Sequence, residues 1–215
     1  MKKSAVLASL LLVAGLVGFL VLPRYLASAP PVEAQASLGK PAPDFQVVDV
    51  TGEPVALSAL SGKYVVLEWW NHGCPFVQAL YQDGKMQEQQ RAWTGRDVQW
   101  LVVCSSAPGK QGHVTPEEAI RLQTEAGGVP TRILLDPQGV LGGLYGARTT
   151  PHMFVIDPQG VLIYAGAIDD RASKNYVEQA LNEAFEGRPV SEPLTVPYGC
   201  SVKYGANPDE TRRSK

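Results

Sequence analysis

Strand-like and helix-like patterns alternate along this chain, and the alternation predicts an α/β fold in which a mixed β-sheet is flanked by helices. Three observations carry the prediction. Residues 64–70 form an almost continuous β-branched and aromatic run, the pattern of a strand buried on both faces. A second such run, 98–104, comes after a stretch suited to one helix from Phe76 to about Trp93. Near the end of the domain, a hairpin pattern leads into an amphipathic helix.

The elements can be justified in order. A short apolar stretch, 46–50, precedes the turn Thr51-Gly52-Glu53-Pro54. After the two buried runs, Thr115-Pro116-Glu117-Glu118 supplies a helix start: a capping threonine, proline at the first helical position, and Glu118 completing a capping box. That helix should stop near Gly127-Gly128. Strands are expected at 132–136 and 152–157, each leading into the hexapeptide Asp-Pro-Gln-Gly-Val-Leu. Two copies do not make a repeat architecture, so shared turn chemistry is the expectation. The second copy leads into 161–165 as a hairpin. Tyr176, Val177, Ala180, Leu181, Ala184 and Phe185 then mark one face of a last helix, ended by Gly187. The tail, 188–215, contains Pro189, Pro193 and Pro197 and carries Cys200.

Composition bounds the function. The 215 residues are 45 % hydrophobic and 19 % charged, with a net charge of −2, which suits one globular domain with extensions. No basic block with interleaved aromatics occurs, which argues against nucleic acid as a partner. Lys2 and Lys3 precede an apolar run at 5–22, broken only by Ser9 and two glycines. Segment 1–26 is therefore expected to be a cleaved signal peptide or a retained membrane anchor, with 27–37 as linker. Ala34-Gln35-Ala36 offers a small-residue cleavage pattern far downstream, and Ala27-Ser28-Ala29 is followed by Pro30. Either outcome places the domain at 38–187 outside the cytoplasm, in the periplasm or exported, with possible attachment at an inner membrane. Three cysteines are too few for a disulfide scaffold in such a compartment, but suit a redox pair and a bystander.

The chemistry concentrates where the first buried run ends. Cys74 falls at the strand-to-helix junction, where free N–H groups and the positive helix end stabilise an anion. A thiol there has a lowered pKa, and the thiolate is the attacking form. Pro75 fits the first turn because it has no N–H to lose.

Trp70-Asn71-His72-Gly73-Cys74-Pro75 resembles the active-site turn of the thioredoxin superfamily, with Asn71 at the first cysteine position and Cys74 at the second. In peroxiredoxins the matching turn begins with threonine, which Asn71 also replaces. The opening Gly39-Lys40-Pro41-Ala42-Pro43-Asp44-Phe45 resembles that of the alkyl hydroperoxide reductase/thiol-specific antioxidant branch, a redoxin family. Thr150-Pro151 is similar to the superfamily's cis-proline loop, which lies against the active cysteine. The resemblance spans about 38–187 and implies a thioredoxin-like fold. It also implies an extracytoplasmic, peroxiredoxin-like antioxidant enzyme that reduces hydroperoxides through Cys74. An external thiol donor, thioredoxin-like or small, would regenerate the enzyme without a cofactor. Protein thiol–disulfide exchange without peroxidase activity is one alternative. A copper-binding or envelope-assembly module on the same scaffold is another.

On this reading the site residues are Cys74, Cys200, Asn71, Thr150 and Pro151. Cys200, in a tail that resembles the ending of some exported redoxin-like proteins, is the expected partner of Cys74. Cys104 is expected to pack in the core. Arg132 and Arg148 are the arginines nearest the expected site loops, though each is expected at the surface. His72 could tune Cys74, and His152, next after Pro151, could approach it. Asp169-Asp170 and residues 110–113 are expected to be solvated.

Overall fold

A computed structural model describes residues 35–205. The apolar segment 1–26 and most of the expected linker lie outside the described residues. In chain order the elements are β1 (Gln46–Val48), β2 (Pro54–Ala56), β3 (Val65–Trp69), α1 (Pro75–Gln82), α2 (Lys85–Thr94), β4 (Gln99–Cys104) and α3 (Pro116–Glu125). They continue with β5 (Arg132–Leu135), α4 (Val140–Tyr145), β6 (Thr149–Thr150), β7 (His152–Ile156), β8 (Leu162–Gly166), α5 (Tyr176–Phe185) and β9 (Cys200–Ser201).

The central sheet has the order β5-β4-β3-β7-β8. β3, β4 and β5 run parallel, whereas β7 is antiparallel to β3 and β8 to β7. Parallel neighbours cannot be joined by tight turns, so α1 and α2 cross from β3 to β4 and α3 crosses from β4 to β5. β3 is central and every residue in it is buried. Val65, Leu67 and Trp69 face a core with Leu101, Leu134 and Phe154, whereas Val66 and Trp70 face one with Trp100, Met153 and Leu181. Full burial of each such side chain contributes roughly 1.5–3 kcal/mol, which is why the two apolar runs set the frame.

The expected single helix after Cys74 is two. Gly84, at φ 75°, ends the first and starts the second, a backbone conformation that only glycine adopts without cost. The helix at Thr115 forms with its full capping box. The repeated hexapeptide makes the same turn twice. Asp136 accepts from the Gly142 N–H and Asp157 from the Gln159 and Val161 N–H groups. One copy continues into α4 and the other into β8, so the turn is local and its continuation is set by packing. The tail folds back onto the domain, with the Thr195 N–H donating to Ala165 and the Val202 N–H to Arg148.

Candidate active site

The turn leaving β3 is locked before any chemistry is considered. The Trp70 N–H bonds the Val103 carbonyl at 2.8 Å, holding the strand end against β4. Asn71 is fully buried; its Oδ1 accepts from the Gly73 N–H at 2.8 Å and its Nδ2 donates to the Gln111 carbonyl at 3.2 Å. Gln111 answers by donating from Nε2 to the Gly73 carbonyl at 2.7 Å. Gly112 lies flat on the Asn71 amide, where a Cβ would fall 2.3 Å from Oδ1. Asn71 is therefore a clamp for the turn, with both polar ends of its amide occupied. Lys110, Gln111 and His113 are exposed as expected, but Gly112 is buried and the loop grips the turn.

Cys74 is the N-cap of α1, with Pro75 opening the helix. Its sulfur is fully buried and donates to the Thr150 carbonyl at 3.0 Å. The Thr150–Pro151 bond is cis, as the resemblance implied. Thr150 also pairs with Cys200 across the two-stranded β6–β9 ladder, so one residue touches both thiols' segments. Gly199, at φ 134°, makes this approach possible, because a Cβ would lie 2.0 Å from the Thr150 carbonyl oxygen. The Thr150 hydroxyl is buried without a hydrogen-bond partner of ordinary geometry.

Cys200 packs against the core cluster that holds Cys74, and each thiol shifts the pKa of the other. Burial by itself raises the pKa of Cys74, but the neighbouring Cys200 thiol, then the Val77 N–H, and then the Thr150 side chain and the Cys200 N–H outweigh it. The net result is a lowered pKa. Cys200 moves the other way, to about 11, through desolvation and then its interaction with Cys74, against a small pull from Lys203. Of the two thiols, Cys74 is therefore the first to lose its proton.

Sequence reasoning missed what seats the tail. The Tyr198 ring meets Phe76 edge-on at 5.8 Å, its hydroxyl donates to Asp169, and the Arg171 guanidinium lies 5.2 Å from its centroid. Asp169, expected to be solvated, is therefore the tail's anchor. Beyond Cys200, the Lys203 carbonyl accepts from the Ala107 N–H at 2.9 Å, and the Tyr204 hydroxyl donates to the Ala147 carbonyl at 2.7 Å. The Gly199-Cys200 dipeptide was the one visible sign of a close backbone approach.

Several expected neighbours lie elsewhere. Cys104 is buried as expected; its thiol donates to the Gly112 carbonyl at 3.2 Å, and burial raises its pKa. His152 shares the sheet face of Phe154, its ring 4.4 Å away, whereas Cys74 packs on the other face. Strand alternation turns the side chain after Pro151 away from the sulfur. Its Nδ1 accepts from the Arg148 N–H, and burial lowers its pKa to about 4, so it stays neutral. Arg132 pairs with buried Asp49 at 3.2 Å. His72 lies against Trp70 with Nδ1 unpartnered, its pKa lowered chiefly by desolvation. It lines a cleft of about 320 Å³ with Trp70, Val77, Tyr81 and Leu122.

One ionisable group under the site was not anticipated. Glu68, fully buried in β3, accepts from Trp100 Nε1 at 2.7 Å, Tyr81 Oη at 2.9 Å and Gln90 Nε2 at 3.0 Å. Desolvation raises its pKa to about 7 against those three donors. Through Tyr81 it ties α1, and through Gln90 it ties α2, to the sheet.

A strand–Cys-Pro–helix junction facing a cis-proline loop on this sheet order defines a thioredoxin-like protein with a redox-type cysteine site. The AhpC/TSA family profile matches residues 38–165, more than half of the chain, and the chain belongs to that family. It is similar to the thiol-disulfide oxidoreductase ResA of Bacillus anthracis, 25 % identical over 173 residues, spanning 76 % of this chain and 88 % of that one. The ResA of Bacillus cereus is 33 % identical over 91 residues, 38 % of this chain and 50 % of its own length. Among solved structures, an uncharacterised conserved protein from Geobacillus kaustophilus superposes with a TM-score of 0.71 at 26 % identity. That match covers 80 % of this chain and 94 % of the other. A putative thiol:disulfide interchange protein DsbE from Chlorobium tepidum gives 0.55 at 25 % identity, covering 70 % and 99 %.

Proposed function

We propose that this protein is an extracytoplasmic thiol–disulfide oxidoreductase whose redox couple is Cys74 and Cys200. The observation that carries the reading is the convergence of both thiols on Thr150, whose carbonyl accepts from the Cys74 thiol at 3.0 Å and whose backbone pairs with Cys200 across the β6–β9 ladder. With asparagine at the first cysteine position, the turn itself cannot form a disulfide, and the tail supplies the missing thiol. The similarity to ResA and DsbE-type proteins supports exchange with disulfides. The location rests on Lys2, Lys3 and the apolar run 5–22; among the described residues no helix is long and apolar enough to cross a membrane.

In the reduced form Cys74 ionises more readily than Cys200 and is the nucleophile of the pair. Two electrons leave the pair as the Cys74–Cys200 bond forms and a substrate disulfide is cleaved to two thiols. An external dithiol reverses the change. Thr150 and the Val77 N–H stabilise Cys74 in both steps, and Asn71 keeps the turn closed.

Hydroperoxide reduction is the second reading, favoured by family membership and by the place of Cys74 at the start of α1. In it the Cys74 thiolate attacks the peroxide oxygen, releasing an alcohol or water and leaving a sulfenic acid. Cys200 then displaces water to give the same disulfide. The geometry ranks it second, because no cation contributes to lowering the Cys74 pKa and the Asn71 amide is occupied.

The test is a redox titration of the full chain against oxidised and reduced dithiothreitol, read by non-reducing peptide mass spectrometry. One two-electron transition with a Cys74–Cys200 disulfide and Cys104 reduced throughout is expected. Pairing of Cys74 with Cys104, or no disulfide, would overturn the assignment. Adding one equivalent of hydrogen peroxide to the reduced protein separates the readings: fast loss with formation of the same disulfide promotes the second.

A further inference from the structure

We infer that the dithiol that reduces this protein attacks Cys200 and not Cys74, docking on the tail strand that covers the helix cysteine. The inference rests on the Cys74–Cys200 pair proposed above and adds the sulfur through which electrons enter.

Access decides it first. Cys74 is fully buried, closed in by Thr150 and by the tail, whereas Cys200 is partly exposed. The tail is fastened on both sides of Cys200, by Tyr198 to Phe76 and Asp169 before it, and by the Val202 N–H, the Lys203 carbonyl and the Tyr204 hydroxyl after it. β9 occupies the backbone edge of Thr149–Thr150 beside Cys74, so a cysteine-bearing chain cannot pair with that edge without displacing the tail. The tail thus holds Cys200 where an incoming substrate cysteine would stand, and an outside sulfur meets Cys200 first.

Leaving-group chemistry points the same way. Thiol–disulfide exchange is faster when the displaced sulfur has the lower pKa, and which sulfur is attacked depends on access. Attack on Cys200 expels Cys74, whose thiolate is stabilised by the helix start; attack on Cys74 would expel Cys200, whose thiolate is not. Lys203, half-buried with its ammonium on the Ser201 hydroxyl, places a positive charge beside Cys200, where the incoming thiolate arrives.

In the first half of the exchange a partner thiolate forms a bond to the Cys200 sulfur, the Cys74–Cys200 bond breaks, and Cys74 leaves as thiolate. The partner's second thiolate then attacks its own sulfur in the mixed disulfide and closes the partner's disulfide. Cys200 is released and takes up a proton. The partner loses two electrons and this protein gains them.

Glutathione, a monothiol, replaces the dithiol in the test so that the first mixed disulfide persists. The oxidised full chain is mixed with glutathione, quenched in acid at early times, alkylated and mapped by mass spectrometry. Glutathione on Cys200 with Cys74 free should exceed the reverse product by about tenfold or more, since access and leaving group favour the same sulfur. An equal or greater share on Cys74 would overturn the inference while leaving the pair intact. Failure to obtain the oxidised pair at all would instead overturn the underlying reading and this one with it. Gly199→Ala, which drives a Cβ into the Thr150 carbonyl, should unseat the tail and move label toward Cys74. Tyr198→Phe, which frees Asp169, is the gentler variant should Gly199→Ala fail to fold, and should shift label the same way. Hydrogen exchange reports tail release in both variants. An unchanged label ratio in a variant whose tail is released would count against access as the cause.

Discussion

The start of α1 and the strand β9 present a thiol to each other, and they hold it by different means. Cys74 sits in a junction built by its own neighbours, with Asn71, Pro75 and the Val77 N–H all within three residues of it. Cys200 sits on two residues of strand whose partner, Thr150, is fifty positions away. One thiol is buried with a lowered pKa, and the other is half-exposed with a raised one. Asymmetry of this kind is what a redox pair needs, because two thiols of equal pKa would leave neither sulfur as the ready nucleophile.

The sharpest way to break the comparison is to remove each sulfur in turn. Cys74→Ser should abolish disulfide exchange, a loss of at least about a hundredfold, because the thiolate stabilised at the helix start is gone. The two replacements at Cys200 should differ from each other. Both end turnover, but Cys200→Ser keeps a hydroxyl to donate to Cys74, whereas Cys200→Ala does not. Iodoacetamide alkylation of Cys74 across pH should therefore show its pKa rising in Cys200→Ala and staying closer to wild type in Cys200→Ser. Equal profiles in the two variants would show that Cys200 does not tune Cys74.

The same contrast governs what the sequence shows. The helix-start site was legible because strand, turn, cysteine and proline are contiguous, and local patterns report local structure. The two buried strands β3 and β4 and the capping box at Thr115 were legible for the same reason. The partnership of Cys200 could be suspected only from its being a second thiol, since the β6–β9 ladder depends on long-range packing of Tyr198 and Tyr204. Gly84 ends α1 inside what periodicity read as one helix, because a single left-handed residue interrupts hydrogen bonding without changing hydrophobic spacing. His152 was misplaced because adjacency to Pro151 in sequence says nothing of which way a strand residue points. Glu68 was invisible as a site because a carboxylate within an apolar run is read as strand until its donors, from β4, α1 and α2, are known.

Glu68 offers the next largest effect and bears on the helix side alone. Its pKa is about 7 in the folded protein against 4.5 for a free glutamate. The folded state therefore binds the proton more tightly, so stability from this group is full below about pH 4.5 and is lost as pH rises through about 7. Between pH 5 and 8 the native protein should lose on the order of 3 kcal/mol on this account. Glu68→Gln, which cannot ionise and can still bond Trp100 and Tyr81, should flatten that slope and be the more stable form at pH 8. Urea unfolding at the two pH values measures it. A slope unchanged by the substitution would place the titration elsewhere.

Tyr204→Phe tests the tail side at smaller scale. The ring packs over Gly139 and Gly142, where a Cβ at either position would clash with it, so phenylalanine keeps the packing and loses only the hydroxyl. Losing the bond to the Ala147 carbonyl should cost about 1 kcal/mol. Because the tail's attachments are few and α1 is tied separately through Tyr81 to Glu68, the loss should be felt locally. Amide exchange should quicken at 200–204 with little change in α1, and Cys200 should alkylate faster. If exchange in α1 quickened equally, the helix start and the tail would be one cooperative unit. The two thiols would then be gated together, and exposure of Cys200 without exposure of Cys74 would not occur.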